Sequence, residues 1–530
     1  MKLTQVCLLA SVLSACSMIP NQDPTQNIDV ANNAQAISTS ENLDDTQDSG
    51  PELSTAQVEN TIVDAPTPDV WGRIIHNLAL TNNVDNPRVD KHLSWFVRHP
   101  QHVKKVSERA QRYLFHISAE VEARGMPGEL ALLPFIESAF DPFAYSHGRA
   151  SGVWQFIPST GHMFGLKQDW WHDGRRDIRA STNAALTYLD RLQKRFDGDW
   201  MLALASYNSG AGTVNKAIRK NKKKGLPTDF WHLDLPKETR AYVPKLIALA
   251  KLLKQRENYN LEWSPVLDQP YFAVADTQGQ IDLAQVAELA ESEIDEIYRL
   301  NPQYNHWATH PDGPHEVLVP ADKLETFGTN LSLLDPTERM RWDRYKVRRG
   351  DNLIIIADKH ETTVSVLRRA NELSSDVIFP GQELMIPSAM KGGSEYSLSL
   401  DKRLEKRQLR GRTSNQSKRI DYYVKSGDSF WKIARLHDTS VNKLTNWNGM
   451  APGDPLTVGK RLVIWTTNDT KDRQVVRKVH YQIRSGDNLS SIANRFNVNV
   501  SDVKRWNSNT ARRKYLQPGQ SLTLYVDVTK

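Results

Sequence analysis

Cysteine is almost missing from this 530-residue chain: its two copies, Cys7 and Cys16, both fall at the amino terminus. Past residue 16 there is no thiol, which excludes disulfides and any Cys-His nucleophile from the body of the protein. Long apolar runs are missing too. Nothing beyond the first fifteen residues approaches the ~20 apolar residues that span a bilayer, so no helical membrane span is expected there. A His-Glu-x-x-His pattern, which would set two zinc ligands and a base on one helix face, does not occur, and a zinc peptidase of that kind is excluded. Residues 17–69 contain no Lys or Arg, while Asp, Glu, Asn, Gln, Ser and Thr abound. Such a stretch buries too little apolar surface to offset its ordering entropy, and residues 16–69 are expected to form a disordered acidic tether with a reach of roughly 40 Å.

The amino terminus has a different character. Lys2 precedes an apolar run over residues 6–13 and then Ser14-Ala15-Cys16, the layout of a secretory signal over residues 1–15. Leu13-Ser14-Ala15-Cys16 resembles the bacterial lipobox, which implies cleavage before Cys16 and lipidation of that cysteine; an ordinary signal would leave one unpaired thiol on a secreted protein. Ser17 stands where inner-membrane retention would place Asp. The resemblance therefore implies a lipid anchor on the periplasmic side of the outer membrane of a Gram-negative bacterium. The chain as a whole is basic, at net +6, with runs at 219–224 and 402–412. These read as solvated charge, and an exported protein meets no nucleic acid.

Three segments repeat one another. Gly350-Asp351, Gly427-Asp428 and Gly486-Asp487 are followed at one spacing by Asn371, Asn448 and Asn507, since 371−350, 448−427 and 507−486 all equal 21. Apolar positions keep the same register, as at Leu353, Phe430 and Leu489 or Ile356, Ile433 and Ile492. Each copy predicts a strand, a turn with Asp at a helix N-cap, two short helices and a closing strand. The copies, at 343–387, 421–465 and 480–526, resemble the LysM domain, which implies binding of N-acetylglucosamine-containing glycans beside the Gly-Asp turns. Residues 388–420 (basic) and 466–479 are the linkers between them. A worn fourth copy, with Leu283, Val286, Ile294, Ile297 and Asn301 at the same offsets but Gln280-Ile281 for Gly-Asp, lies in a connector over 256–342. It is expected to pack against its neighbour and not to bind sugar.

Chemistry falls to the helical region 70–255. There Leu130-Ala131-Leu132-Leu133-Pro134-Phe135-Ile136 runs straight into Glu137-Ser138. A carboxyl at the edge of an apolar core stays protonated nearer neutral pH and suits general acid catalysis. On its own this is a weak signal, since many helices end in a solvent-facing Glu. Three further segments follow: Gly148 with Ser151-Gly152-Val153-Trp154-Gln155-Phe156-Ile157-Pro158, then Ala205-Ser206-Tyr207-Asn208-Ser209-Gly210, then Glu238-Thr239-Arg240-Ala241-Tyr242-Val243. Together these resemble the motifs of the lytic transglycosylases related to goose-type lysozyme. The fold class implied is multidomain, a mainly α lysozyme-like catalytic domain followed by small α+β (βααβ) LysM repeats.

The resemblance makes Glu137 the single catalytic acid and Ser138 its partner. It implies that Ser146 and Gln155 contact carboxyl or sugar, that Tyr207 and Asn208 line the cleft, and that Glu238 is an acid deeper in the site. Trp154 and Ile157 stand where many relatives have Met, a change expected in the cleft wall. On local grounds Gly210 reads as a helix C-cap, Glu238 equally as a partner for a helix dipole, and Asp141, before Pro142, as a turn former. Only Glu137 then has a catalytic setting, whereas hydrolytic glycosidases generally use two carboxyls. One acid suffices if the muramyl 6-hydroxyl is the nucleophile: Glu137 protonates the bridging oxygen, then takes the hydroxyl proton, and a 1,6-anhydro end forms without water, cofactor or metal. A hydrolase of the same bond and an inert lipid-anchored tether to peptidoglycan are the competing readings.

Overall fold

The structure is a computed structural model, and it describes residues 69–82, 84–360, 362–412, 417–467, 476–507 and 516–527. Every described residue belongs to one compact unit within Asp64–Lys530. The signal segment, Cys16 and the tether up to residue 68 lie outside the described residues. Among the described residues no helix is long and apolar enough to cross a membrane.

Helix Lys237–Lys254 forms the spine of the helical body. Val243, Leu246, Ile247, Ala248, Leu249, Ala250, Leu252 and Leu253 are all completely buried, and a helix apolar most of the way round belongs at the centre of a domain. Its ends obey the helix dipole, with Glu238 in the first turn and Lys251 and Lys254 in the last. It packs on helices Pro87–Arg98 and Trp200–Ser209 and on the 3₁₀ segment Gly128–Leu132. That segment leads directly into the short helix Leu133–Glu137. The helix stops because Ala139 and Phe140 both take φ of 52°, a conformation that costs a side chain about 1–3 kcal/mol. Complete burial of Phe140 holds it there. The apolar run thus delivers Glu137 to the rim of the core and goes no further.

A second buried acid shows what distinguishes Glu137. Glu129 is fully buried, yet its carboxylate accepts bonds from the backbone N–H groups of Ala79, Leu80 and Thr81 and from the Thr81 hydroxyl, at 2.7–3.1 Å. A carboxylate satisfied in this way is a fastener for the preceding loop.

Four βααβ units follow, each closed by a two-stranded antiparallel sheet. In the connector, Phe272–Asp276 pairs with Glu316–Pro320; in the three repeats, Arg341–Lys346 pairs with Glu383–Ser388, Ser417–Tyr423 with Arg461–Thr467, and Val476–Gln482 with Ser521–Asp527. The fixed asparagine now has a reason. In the second repeat Asn448 Nδ2 donates to the carbonyls of Leu444 and Val463, and its Oδ1 accepts the Val463 N–H at 2.7 Å. Asn371 makes the same set with Leu367 and Met385, Asn507 with Val503 and Thr523, and Asn301 with Ile297 and Leu318. One amide ties the second helix to the closing strand in every copy, the worn one included. Asn448→Ala should strand a buried N–H and C=O of Val463 and cost that repeat about 2–3 kcal/mol. Hydrogen exchange at the Val463 amide reads this directly; retained protection would show the tie to be dispensable.

Two expectations need correction here. The Asp of each Gly-Asp pair is not the helix N-cap; Asn352, Ser429 and Asn488, one residue later, hold that place. Asp351 instead accepts the Arg348 N–H at 2.7 Å and the Tyr345 hydroxyl at 2.8 Å, and Asp428 and Asp487 do the same with Lys425 and Tyr422 and with Arg484 and Tyr481. The Asp pins the turn to the first strand, and Gly350, Gly427 and Gly486, at φ of 79–93°, let the chain reverse. The basic run 402–412 is not simply solvated. It lies mostly in helix Leu400–Leu409, whose Gln408 is buried and whose Arg403 guanidinium sits over the Phe143 ring at 4.2 Å. Just before it, Tyr396 is buried in the connector core and donates to Asp282.

Candidate active site

Glu137 stands half-buried at the end of its helix, beside the spine. Its Oε1 accepts the Tyr242 hydroxyl at 2.6 Å, and among the described residues no other side chain bonds to this carboxyl. Loss of hydration pushes the acid up to about 7; the Tyr242 donor opposes that rise, the Glu238 charge adds to it, and the Lys245 charge opposes it. Glu238, Tyr242 and Lys245 recur at helical spacing on one side of helix Lys237–Lys254. Burial in turn pushes the Tyr242 and Tyr207 phenols well above their usual value, so both stay protonated donors, and it lowers Lys245.

The loop facing the acid is tightly wound. Gly152 has φ of 81°, and a Cβ there would stand 2.1 Å from the Arg175 carbonyl oxygen, so the position requires glycine. Gln155 also takes positive φ, at 50°, and its Nε2 donates to the carbonyls of Gly152 and Ala144. Arg175, paired with Asp173 at 2.8 Å, donates to the carbonyls of Arg149 and Phe156 and braces the loop from below. Tyr207 donates to the Trp154 carbonyl at 2.8 Å and Ser138 to that of Val153 at 3.0 Å. Asn208 accepts from Thr239 at 2.9 Å, joining helix Trp200–Ser209 to the start of the spine. From outside, Asp454 of the second repeat accepts the Tyr145 hydroxyl at 3.0 Å and pairs with Arg149 at 2.7 Å.

Several residues sit differently from expectation. Ser138 and Ser146 do not bond to the Glu137 carboxyl: the first ties its helix to the loop, and the second accepts the Ala150 N–H within a turn. Trp154 is fully buried with its indole N–H on Thr182, so it belongs to the core and not to a cleft wall, whereas Ile157 is exposed. Glu238 lies at the exposed start of its helix, not deeper than Glu137. Asp141 is the turn former expected, accepting the Phe143 N–H. Gly210, at φ of 81°, ends helix Trp200–Ser209 as expected and also begins the next one. Among the described residues no group of three or more His, Cys, Asp or Glu is placed to hold a metal.

Over 408 residues the chain is 36% identical to the membrane-bound lytic murein transglycosylase D of Escherichia coli (strain K12), an alignment covering 74% of this chain and 86% of that protein. This chain belongs to the membrane-bound lytic murein transglycosylase D family. The family model described as transglycosylase SLT domain matches residues 115–229, the one described as lytic transglycosylase MltD, LysM-like domain matches 271–335, and the LysM domain matches 345–387, 422–465 and 481–524. An autolysin of Enterococcus faecalis is 34% identical over 174 residues, 31% of this chain and 22% of its own. Among solved structures, the 70 kDa soluble lytic transglycosylase SLT70 of Escherichia coli overlaps 34% of this chain and 32% of its own, at 18% identity and a TM-score of 0.23.

For a transglycosylase D family member, Tyr242, Lys245 and Arg175 are the residues that motif reading passed over. Tyr242 lies inside the Glu238 motif, four positions on, and a helical reading of 237–254 would have placed it on the same face. Arg175 carried no comparable signal, because only the folded loop shows which carbonyls it holds.

Proposed function

We propose that this chain is a lytic transglycosylase of peptidoglycan, cutting the β-1,4 bond from N-acetylmuramic acid to N-acetylglucosamine and leaving 1,6-anhydromuramyl ends. One observation carries the reading: a single carboxyl, protonated near neutrality and held at one oxygen by Tyr242, with no second carboxylate among the described residues bonded into the same site. With Oε1 occupied by the tyrosine, the proton rests on Oε2 and faces the glycosidic oxygen. After the bond breaks, the same oxygen is the base that takes the muramyl 6-hydroxyl proton, and holding that hydroxyl against C1 supplies the effective molarity that water lacks. Tyr207, Asn208 and Gln155 shape the cleft around the sugar, and Ser138 and Ser146 fix the two backbone segments that border it. Mass spectrometry of the released muropeptides decides the chemistry: anhydro ends are expected, and reducing ends heavier by one water would make the enzyme a hydrolase.

The LysM repeats hold the enzyme on its polymer. Ile354 and Phe379 flank the first Gly-Asp turn, 71% and 67% exposed, and Trp431 and Val458 flank the second. The third repeat has Ser490 where the others have Ile354 and Trp431. Trp431→Ala and Ile354→Ser should each weaken retention on insoluble murein about 2- to 10-fold, and Ser490→Ala should change nothing. Equal effects from all three would refute the assignment of the apolar grooves. Point substitutions are the right tool, since deleting residues 343–530 would also pull Tyr396 out of the connector core.

Cys16 is proposed to carry the lipid that anchors the enzyme to the periplasmic side of the outer membrane. Radiolabelled palmitate should enter the wild-type protein and not Cys16→Ala, which should leave the membrane fraction.

A further inference from the structure

One cavity of about 220 Å³ lies outside everything the reaction uses. Three parts of the chain wall it: Asp169 and Trp170 from the helical body, Gln280 from the connector, and Trp342, Arg369 and Ala370 from the first repeat. Neither Glu137 and Tyr242 nor the Gly350-Asp351 turn lines it, so it is separate from the cleft and from the repeat's groove. Its walls join flat aromatic surface to fixed polar groups. Trp342 keeps 39% of its surface exposed although it stands in a strand, opposite Pro387. Trp170 is held rigid, stacked on the His306 ring at 3.7 Å and set edge-on against Trp171 at 4.4 Å. The Asp169 carboxylate is oriented by the His172 N–H at 2.8 Å and by His310 Nε2 at 3.0 Å, the Gln280 amide by the Thr309 carbonyl at 2.8 Å, and Arg369 by Asp312 at 2.6 Å.

We propose that this cavity binds one N-acetylated hexosamine ring of a glycan, a second saccharide site that rests on the murein-cleaving function proposed above. A pyranose offers an apolar face of C–H groups and a belt of hydroxyls with an amide. Indole surface accepts the first, and a carboxylate, an amide and a guanidinium at the edge accept the second. The volume falls below the ~300–1,000 Å³ of drug-sized sites, which suits one ring and excludes a strand. Because the walls come from three parts of the chain, a bound sugar also fixes the first repeat against the helical body.

The test uses the full chain carrying Glu137→Gln and labelled with 5-fluorotryptophan, titrated with N-acetylglucosamine and its β-1,4 trimer. The expected result is a saturable shift of the Trp342 fluorine signal, identified by its loss in Trp342→Phe. Ala370→Trp, which fills the cavity from a helix surface, should weaken that binding at least tenfold with an unchanged circular dichroism spectrum; this variant serves even if Trp342→Phe fails to fold. Trp431, in the second repeat's groove, is the internal control. If its signal shifts to saturation and that of Trp342 stays still, the cavity site is refuted and the murein function stands. If neither moves, the cavity site is refuted, and digestion of murein by the Glu137-bearing chain decides the function separately.

Discussion

Glu137→Gln leaves a folded protein that digests purified murein ~10³–10⁴-fold more slowly than wild type. The amide keeps the shape of the side chain and can still accept the Tyr242 hydroxyl, so what it removes is the transferable proton and, after it, the base. One group serves both half-reactions, and among the described residues no neighbouring acid is bonded to it to substitute. The same substitution carries a second signature. The wild-type carboxyl is pushed from its ordinary 4.5 to about 7, so between those pH values the folded chain binds protons that the unfolded chain has released. Wild-type stability therefore falls as pH rises through this window and stays low above it. Gln has no such loss, and the melting temperature of the variant relative to wild type should climb from pH 4 to pH 8. A variant as active as wild type, or a melting difference flat across that range, would remove Glu137 from the role of catalytic acid.

Much of this was legible in the sequence because it rests on local, periodic signals. The 21-residue spacing from Gly to Asn marks a turn at one end and an amide tie at the other, and both ends have the same geometry in every repeat. The apolar run before Glu137 predicts a carboxyl at the edge of a core, and that is where it sits. What the sequence hid are contacts between segments far apart in the chain. Tyr242 is 105 positions from Glu137, and Asp454 is 309 from Tyr145; neither pairing leaves a local pattern. The basic run at 402–412 misled for a related reason. Charge predicts solvent when a helix has no neighbour, but Arg403 buries its guanidinium against Phe143, a partner that only the fold supplies. Glu129 shows the converse, since burial alone does not make an acid catalytic once four donors satisfy it.

Tyr242→Phe should lower kcat/KM by about 10²-fold, the scale of losing a fixed geometry at the reacting atoms, with Glu137 itself intact. Tyrosine is a positioning residue here: its hydroxyl decides which carboxyl oxygen holds the proton. A packing defect would also slow the enzyme, so the pH profile is the discriminating measurement. The reactive acid must be protonated, and activity should fall as pH rises through about 7. The tyrosine donor favours the charged carboxylate, so its removal should move that alkaline limb to higher pH. Lys245→Met removes a positive charge that also favours the carboxylate and should move the limb the same way, whereas Glu238→Gln removes a like charge and should move it to lower pH. Three substitutions on one helix face thus give two upward shifts and one downward. A slower Tyr242→Phe enzyme with an unmoved limb, or a Glu238→Gln limb that rises, would show that this face does not set the acidity of Glu137.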